Sequence, residues 1–307
     1  MVAPYQGEIG VQRVRIMSNK KGISFVVLSM AAFTFEDMFL KLLLNNLPVG
    51  QLLCMFGLGT ATVFAAVMWI TGIRFDEAGA WGKLPLLRAF CEAGAALTFY
   101  LALSTIDLTL VAAVYQAVPL VIVIGAALIL REQVGWRRWL AVLLALLGVI
   151  LIIGPGSLNF DPNAFWAVLS VLFVAGRDLA TRRIEESLSS TLISFQGFAV
   201  LIPAGLVWHF AAGEVMVPVS LTHLVLTLGG VVFGAIGYYF IVRGMRIGEV
   251  SVVAPFRYSR ILFAILIGTI VFGERVGMVA LLGIGLIVFA GLYSFKREAQ
   301  KTVRQRL

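Results

Sequence analysis

The sequence predicts an all-α integral membrane protein: ten transmembrane helices arranged as two inverted-topology five-helix repeats. Three observations carry this prediction. The 307 residues are 60% hydrophobic and 13% charged, about half the charged share of a soluble domain. Apolar runs recur at the length of a bilayer core, with short polar breaks between them. Polar landmarks of the first half reappear in the second.

Taken in order, residues 1–21 are expected to form a polar, mobile cytoplasmic tail. Lys20 and Lys21 then precede the first span in the manner of a signal peptide. No small-residue cleavage site follows, and Glu36, Asp37 and Lys41 lie where cleavage would fall, so the first helix is read as uncleaved. The spans are expected at 22–42, 49–72, 84–104, 109–130, 136–154, 162–182, 189–210, 221–244, 250–272 and 276–296, each about the ~20 residues a bilayer requires. The first repeat would cover 22–156 and the second 157–296, with 297–307 as a basic cytoplasmic tail.

Charge sorts the breaks into two sets. With the N-terminus inside, the cytoplasmic segments hold Arg13, Arg15, Lys20 and Lys21, then Arg74 and Lys83, then Arg131, Arg137 and Arg138, then Arg182 and Arg183, then Arg243 and Arg246. The C-terminal tail adds Lys296, Arg297, Lys301, Arg304 and Arg306. The other side carries Lys41 and Arg275 near span ends, with Asp107, Asp161 and Glu214. This asymmetry predicts both termini inside, and a bacterial inner membrane as the location. The net charge of +8 is thereby explained without nucleic acid. Cys54 and Cys91 fall inside apolar spans and read as small buried hydrophobes.

The halves align. FVVLSMAAFTFEDMFLK, from Phe25, matches WAVLSVLFVAGRDLATR, from Trp166, without gaps: Ser29 falls on Ser170 and Asp37 on Asp178. LALSTIDLTLVAAVYQAVPL matches RGMRIGEVSVVAPFRYSRI, and ILREQVG falls on VFGERVG. A unit with an odd number of spans places its copy upside down, the architecture that puts a transporter's site between the halves. These duplicated units and the paired (G/R)-E-x-V-G signatures at Glu132 and Glu274 resemble the drug/metabolite transporter superfamily, EamA type, over about residues 22–296. The segment Ala254 to Arg275 is similar to the penultimate helix of one bacterial branch. The resemblance implies fold and transport activity. Substrates differ among members, so it implies no site residues.

Charged groups inside the spans are costly, at least ~2.5–3.5 kcal/mol each on insertion scales, and mark candidate sites. Span 9 holds Arg257, Tyr258 and Arg260 just after Pro255, which would free a carbonyl around Ser251 and kink the helix. The two guanidiniums, three residues apart, share a helix face and suit bidentate capture of a carboxylate or phosphate. Their counterparts in the first half are Tyr115, Gln116 and Val118. Span 1 carries Glu36 and Asp37, the latter spaced for a pair with Lys41, with Phe33, Phe35 and Phe39 able to wall a pocket. Span 3 carries Arg88 and Glu92 one turn apart, and Tyr100 beyond them. Arg177, Asp178, Arg182 and Arg183 read as an interfacial cluster. Gln196, Tyr238 and Tyr239 are further candidate linings, and His209 and His223 read as solvated. Gly229, Gly230, Gly234 and Gly237 let span 8 pack closely within the subunit.

No Walker motif, Ser/His/Asp set, HExxH or filter-like loop stands in the sequence, so neither cofactor nor metal is expected. The predicted activity is secondary transport, by alternating access, of a small polar metabolite bearing a negative group. Arg257 and Arg260 would hold that group, Arg88 less directly, with Tyr258, Tyr115, Gln116, Tyr100 and Tyr239 lining the site. Glu36 and Glu92 would neutralise the arginines, take up a coupling proton or accept a substrate amine. A cationic metabolite or drug held by the span 1 and span 3 carboxylates is the alternative, and a membrane-embedded enzyme the remote one. Partners are the small-molecule substrate and the bilayer; monomer and homodimer both stay open.

Overall fold

The computed structural model describes residues 5–77, 79–129, 135–153, 161–181, 183–184, 188–247 and 253–306. Among them are α1 (Tyr5–Leu44), α2 (Val49–Thr71), α3 (Lys83–Thr105), α4 (Leu108–Tyr115), α5 (Val118–Ile129) and α6 (Trp136–Ile153). There follow α7 (Ala164–Thr181), α8 (Ser190–Ala199), α9 (Leu201–Ala211), α10 (Leu221–Ile247), a 3₁₀ segment Ala254–Ser259, α11 (Arg260–Phe272) and α12 (Met278–Arg306). The protein is all-helical among the described residues. Among the described residues, seven stretches are long and apolar enough to cross a membrane: Asn19–Leu44, Val49–Thr71, Lys83–Thr105, Leu108–Ile129, Ala164–Thr181, Ser190–Ala211 and Leu221–Ile241. Trp139–Ile153 and Met278–Tyr293 are shorter apolar helices.

Three expected spans are broken, each beside a proline. Pro119 has no N–H to offer the Tyr115 carbonyl, and α4 ends at Tyr115 before α5 resumes at Val118. Pro203 stands in the same relation to Ala199, where α8 gives way to α9. The expected helix 250–272 instead enters through the 3₁₀ turn around Pro255 and becomes α-helical only at Arg260; Ser251 lies outside the described residues. Both ends are helical beyond the expected spans. The N-terminal tail is helical from Tyr5, continuous with the first span, and α12 continues through the basic C-terminal tail to Arg306. Polar, charged stretches can extend a helix beyond the bilayer because the backbone bonds need only water around them. Two helices close on glycines in the left-handed region, α2 at Gly72 (φ 71°) and α11 at Gly273 (φ 67°).

The pairing of helices repeats the duplication. α1 packs most extensively on α10, and α3 on α7. The spans that pair across the middle are α2 with α8–α9, α4 with α11, and α6 with α12. Exchanging the halves turns the first interface into the second and each of the others into itself. The correspondence reaches single hydrogen bonds. Ser29 Oγ donates to the Gly237 carbonyl at 2.7 Å, and its counterpart Ser170 Oγ donates to the Ala95 carbonyl at 2.7 Å. Carried back along span 8, the register places Gly237 on Ala95.

Where the halves meet, backbones touch. A Cβ on Gly50 would stand 2.5 Å from the Gly205 carbonyl oxygen, and one on Gly205 2.5 Å from that of Gly50. Gly148 and Gly283 repeat the arrangement between α6 and α12, at 2.7 and 2.6 Å. Association of apolar helices in lipid relies on such close van der Waals packing, because burial gains little there. The main core runs along these seams, with Leu43, Leu52, Leu53, Leu103, Leu108 and Ile287 shielded.

Candidate functional site

Three clusters of polar side chains lie between the helices. The first stands at the end of α1. Glu274, in the turn before α12, accepts from the backbone N–H groups of Leu108 (2.6 Å) and Thr109 (3.0 Å) and from Thr109 Oγ1 (2.8 Å). It thus caps α4, whose own N-cap residue Asp107 makes no side-chain cap bond. Lys41 Nζ closes the cluster, 2.9 Å from Glu274 and 2.9 Å from the Ile106 carbonyl. Burial pushes the Glu274 carboxyl up, but the bonds from Thr109 and Lys41 outweigh it and hold the group below its usual range. Burial first, then Glu274, push Asp107 the other way. Lys41 is therefore not paired with Asp37, as their spacing suggested: a buried carboxylate on another element outbids a neighbour one turn away.

The second cluster is one turn back along α1. Arg260, the first residue of α11, donates through Nη2 to Asp37 Oδ2 at 2.6 Å, with Asp37 3% exposed. The guanidinium carbon lies 5.9 Å from the Phe33 ring and 5.9 Å from the Tyr115 ring. Tyr115 in turn shares a short hydrogen bond with Ser170. Tyr100 is buried edge-on to Phe56, within electrostatic reach of Glu36 and Asp37. Gln116 is buried and its Nε2 meets no hydrogen-bond acceptor. The ring of buried Tyr258 occupies the space a Cβ on Gly291 would need.

The third cluster links α3 and α7. Glu92 accepts from Arg177 Nη1 at 3.0 Å and pairs with Arg88 at 3.2 Å, while Arg177 also pairs with Asp178 at 2.8 Å. Arg88 Nη1 reaches on to the Ile193 carbonyl at 3.2 Å. Arg257 stands within electrostatic reach of Asp178, Arg177 and Arg260 with its side chain exposed. Among the described residues it makes no hydrogen bond or ion pair.

The structure therefore brings Arg260, Tyr115, Tyr100, Glu36 and Asp37 together in the second cluster and Arg88 with Glu92 in the third, and sets Arg257 within electrostatic reach of Arg260 from the one and Arg177 from the other. Other candidates fall elsewhere. Tyr239 is exposed on α10 and accepts from Arg243 at 3.0 Å; Tyr238 is exposed against Phe64. Gln196 is buried and spends its amide on the Ala80 carbonyl at 2.8 Å. His209, expected to be solvated, is 6% exposed and lies 3.4 Å from Glu214. Glu214 also takes the Gly50 N–H and the Trp208 indole N–H, each at 3.0 Å, so that side of the bundle has a carboxylate needing donors. Sequence reasoning missed the inward role of Arg177, because a cation near a span end looks like a snorkelling one. It also missed Glu274 as a cap. The signal for both was present: Arg177 adjoins the Asp178 that matches Asp37, and Glu274 belongs to the repeated signature.

The model of the EamA-like transporter family matches residues 20–154 and 162–295 of the chain. Among curated proteins, the riboflavin transporter of Vibrio cholerae is 27% identical over 61% of this chain and 62% of its own length. The S-adenosylmethionine uptake transporter of Rickettsia prowazekii is 23% identical over 59% and 61%. The chain thus spans about three fifths of the length of these two relatives. The pseudopaline exporter CntI of Pseudomonas aeruginosa is 24% identical over 88% of this chain and 94% of its own. One crystal structure superposes on 88% of the chain with a TM-score of 0.61 and 15% identity, a likeness of fold.

Proposed function

The chain belongs to the EamA-like transporter family, a family of transporters and not of enzymes, and we propose that it is a secondary transporter of a small polar metabolite carrying a negative group. Arg257 is the observation that carries this reading. The other arginines of the three clusters each face a carboxylate, whereas Arg257 is exposed and unpaired among the described residues. A guanidinium at span depth without a counterion is a binding site for one. Arg260 is a reserve cation, released for substrate only when Asp37 lets go. The relatives that take up riboflavin and S-adenosylmethionine, or export pseudopaline, support the scale of the substrate.

The alternative is a cationic substrate held by Glu36, Asp37 and Glu92. Two of its three carboxylates, Asp37 and Glu92, already hold arginines. In our reading the ten spans form two five-helix halves, 22–156 and 157–296, that rock to give alternating access. The protein lies in the bacterial inner membrane with both termini cytoplasmic, as the Lys/Arg asymmetry supports.

The test is a thermal-stability screen of the purified full chain against amino acids, di- and tricarboxylates, nucleotides and vitamins, since a ligand that binds the folded state raises its melting temperature. An anionic compound should stabilise the wild type and fail to stabilise Arg257→Gln. Stabilisation by cations alone would overturn the reading.

A further inference from the structure

The two interfaces that exchange under the repeat, α1 on α10 and α7 on α3, can be matched position by position. Ser29 with Gly237 answers to Ser170 with Ala95. Phe35 packs on Phe233, ring centroids 5.1 Å apart, and at the matching place a Cβ on Gly176 would lie 3.3 Å from Cys91 Sγ. The next pair departs from the pattern. In one copy Arg177 meets Glu92 at 3.0 Å. In the other, the counterpart of Arg177 is Glu36 and the counterpart of Glu92 is Gly234.

Glu36 thus points at the place where the sister interface keeps a charged partner, and finds a glycine there. A Cβ on Gly234 would stand 2.7 Å from Glu36 Oε1 and 3.1 Å from Oε2. Among the described residues Glu36 makes no hydrogen bond or ion pair. The nearby charges, Asp37 and Arg260, are committed to each other at 2.6 Å. Aromatic rings bracket the carboxylate along the same glycine row: Phe56 over Gly230 on one side, Phe33 over Gly237 on the other. Tyr100 stands within electrostatic reach. An ionised carboxylate at span depth attracts a cation, and aromatic faces favour an organic one, whose charge they attract without demanding hydration.

We propose that Glu36 is a second binding subsite, taking an ammonium-type organic cation that belongs to the substrate. The inference rests on the transporter reading above and narrows its substrate class: a molecule bearing both signs of charge. Its cation lies at Glu36 and its anion at Arg257, on either side of the Asp37–Arg260 pair. The missing side chain at position 234 leaves the room in which the Glu36 carboxylate itself lies, so the cationic group would meet it from the side of the aromatic rings.

Two minimal probes test the two subsites separately. The melting temperature of the purified full chain is followed against tetramethylammonium chloride and against sodium acetate, each referred to sodium chloride at equal ionic strength. Tetramethylammonium should raise it in the wild type and in Arg257→Gln, but not in the near-isosteric Glu36→Gln. Glu36→Asp, which keeps the charge, should retain part of the rise. Acetate should stabilise the wild type and Glu36→Gln, but not Arg257→Gln. A tetramethylammonium response unchanged in Glu36→Gln, or absent from the wild type while acetate still acts, overturns the subsite and leaves the anion reading standing. Loss of the acetate response alone overturns the anion reading instead, and silence from both probes overturns both.

Discussion

Arg260 and Asp37 hold each other at 2.6 Å across the two halves of the chain, one from the first turn of α11 and the other from near the C-terminal end of α1. Removing either partner leaves a charge at span depth without a counterion, at a cost of about 3–5 kcal/mol. Arg260→Gln and Asp37→Asn should each lower the melting temperature strongly, and the double variant should recover part of the loss. Thermal unfolding of the four proteins in one detergent checks this. Strictly additive losses would mean that the pair is not coupled.

Arg257 is expected to behave in the opposite way. With no partner to orphan, Arg257→Gln should change stability by no more than about 0.5 kcal/mol. Substrate counterflow in proteoliposomes should nevertheless fall to background. A destabilisation as large as that of Arg260→Gln would mark Arg257 as structural.

The Glu274 cluster predicts a pH dependence. Burial raises this carboxyl, but the hydrogen bonds from Thr109 and Lys41 win and leave it lower in the folded protein than in the unfolded chain. A depressed carboxylate stabilises above its unfolded value and loses that contribution as pH falls through the lower, folded one. Acidification below about 4.3 should therefore loosen the tie between α4, Lys41 and the turn before α12. Asp107, shifted upward mainly by burial, works in the other direction, so the informative quantity is the difference between wild type and Glu274→Gln. That difference should be largest near neutrality and shrink on acidification. A difference that stays constant with pH would show that the amide caps α4 as well as the carboxylate does.

Gly50→Val should destabilise by about 1–3 kcal/mol, because its Cβ would meet the Gly205 carbonyl, which is backbone and cannot swing aside. Gly72→Ala should cost less, about 1 kcal/mol, since only its positive φ resists a side chain and open space surrounds it. Chemical denaturation of both variants gives the ranking, and the reverse order would contradict the close approach of α2 and α9.

If a carboxylate of the central clusters exchanges a proton during the cycle, an imposed pH gradient should drive uptake into proteoliposomes and Glu36→Gln should respond differently from Glu92→Gln. A rate indifferent to the gradient removes proton coupling.

The membrane class, the repeat and the cost of the internal charges were legible in the sequence because they depend on composition and spacing. Partnership was not. Asp37 sits four residues from Lys41, and helical spacing alone suggests they pair; the structure gives Asp37 to Arg260 and Lys41 to Glu274. Helical spacing describes neighbours on one element, whereas in lipid every buried charge competes for counterions from several. Arg177 misled for a related reason. Near a helix end a cation can reach the interface, and nothing local tells that Glu92 waits on α3. The breaks at Tyr115 and Ala199 were foreshadowed by Pro119 and Pro203, yet apolar runs long enough to span gave no cause to divide them.

The contacts between Gly50 and Gly205 and between Gly148 and Gly283 have a mechanical consequence. They join helices that the repeat maps onto each other, so they lie on the seam between the two halves. Interlocked side chains at an axis act as teeth, and turning must first lift them out of register. Two bare backbones have no teeth. If the halves turn against each other as proposed, the glycines would make these seams bearings, across which the backbones roll while staying in contact.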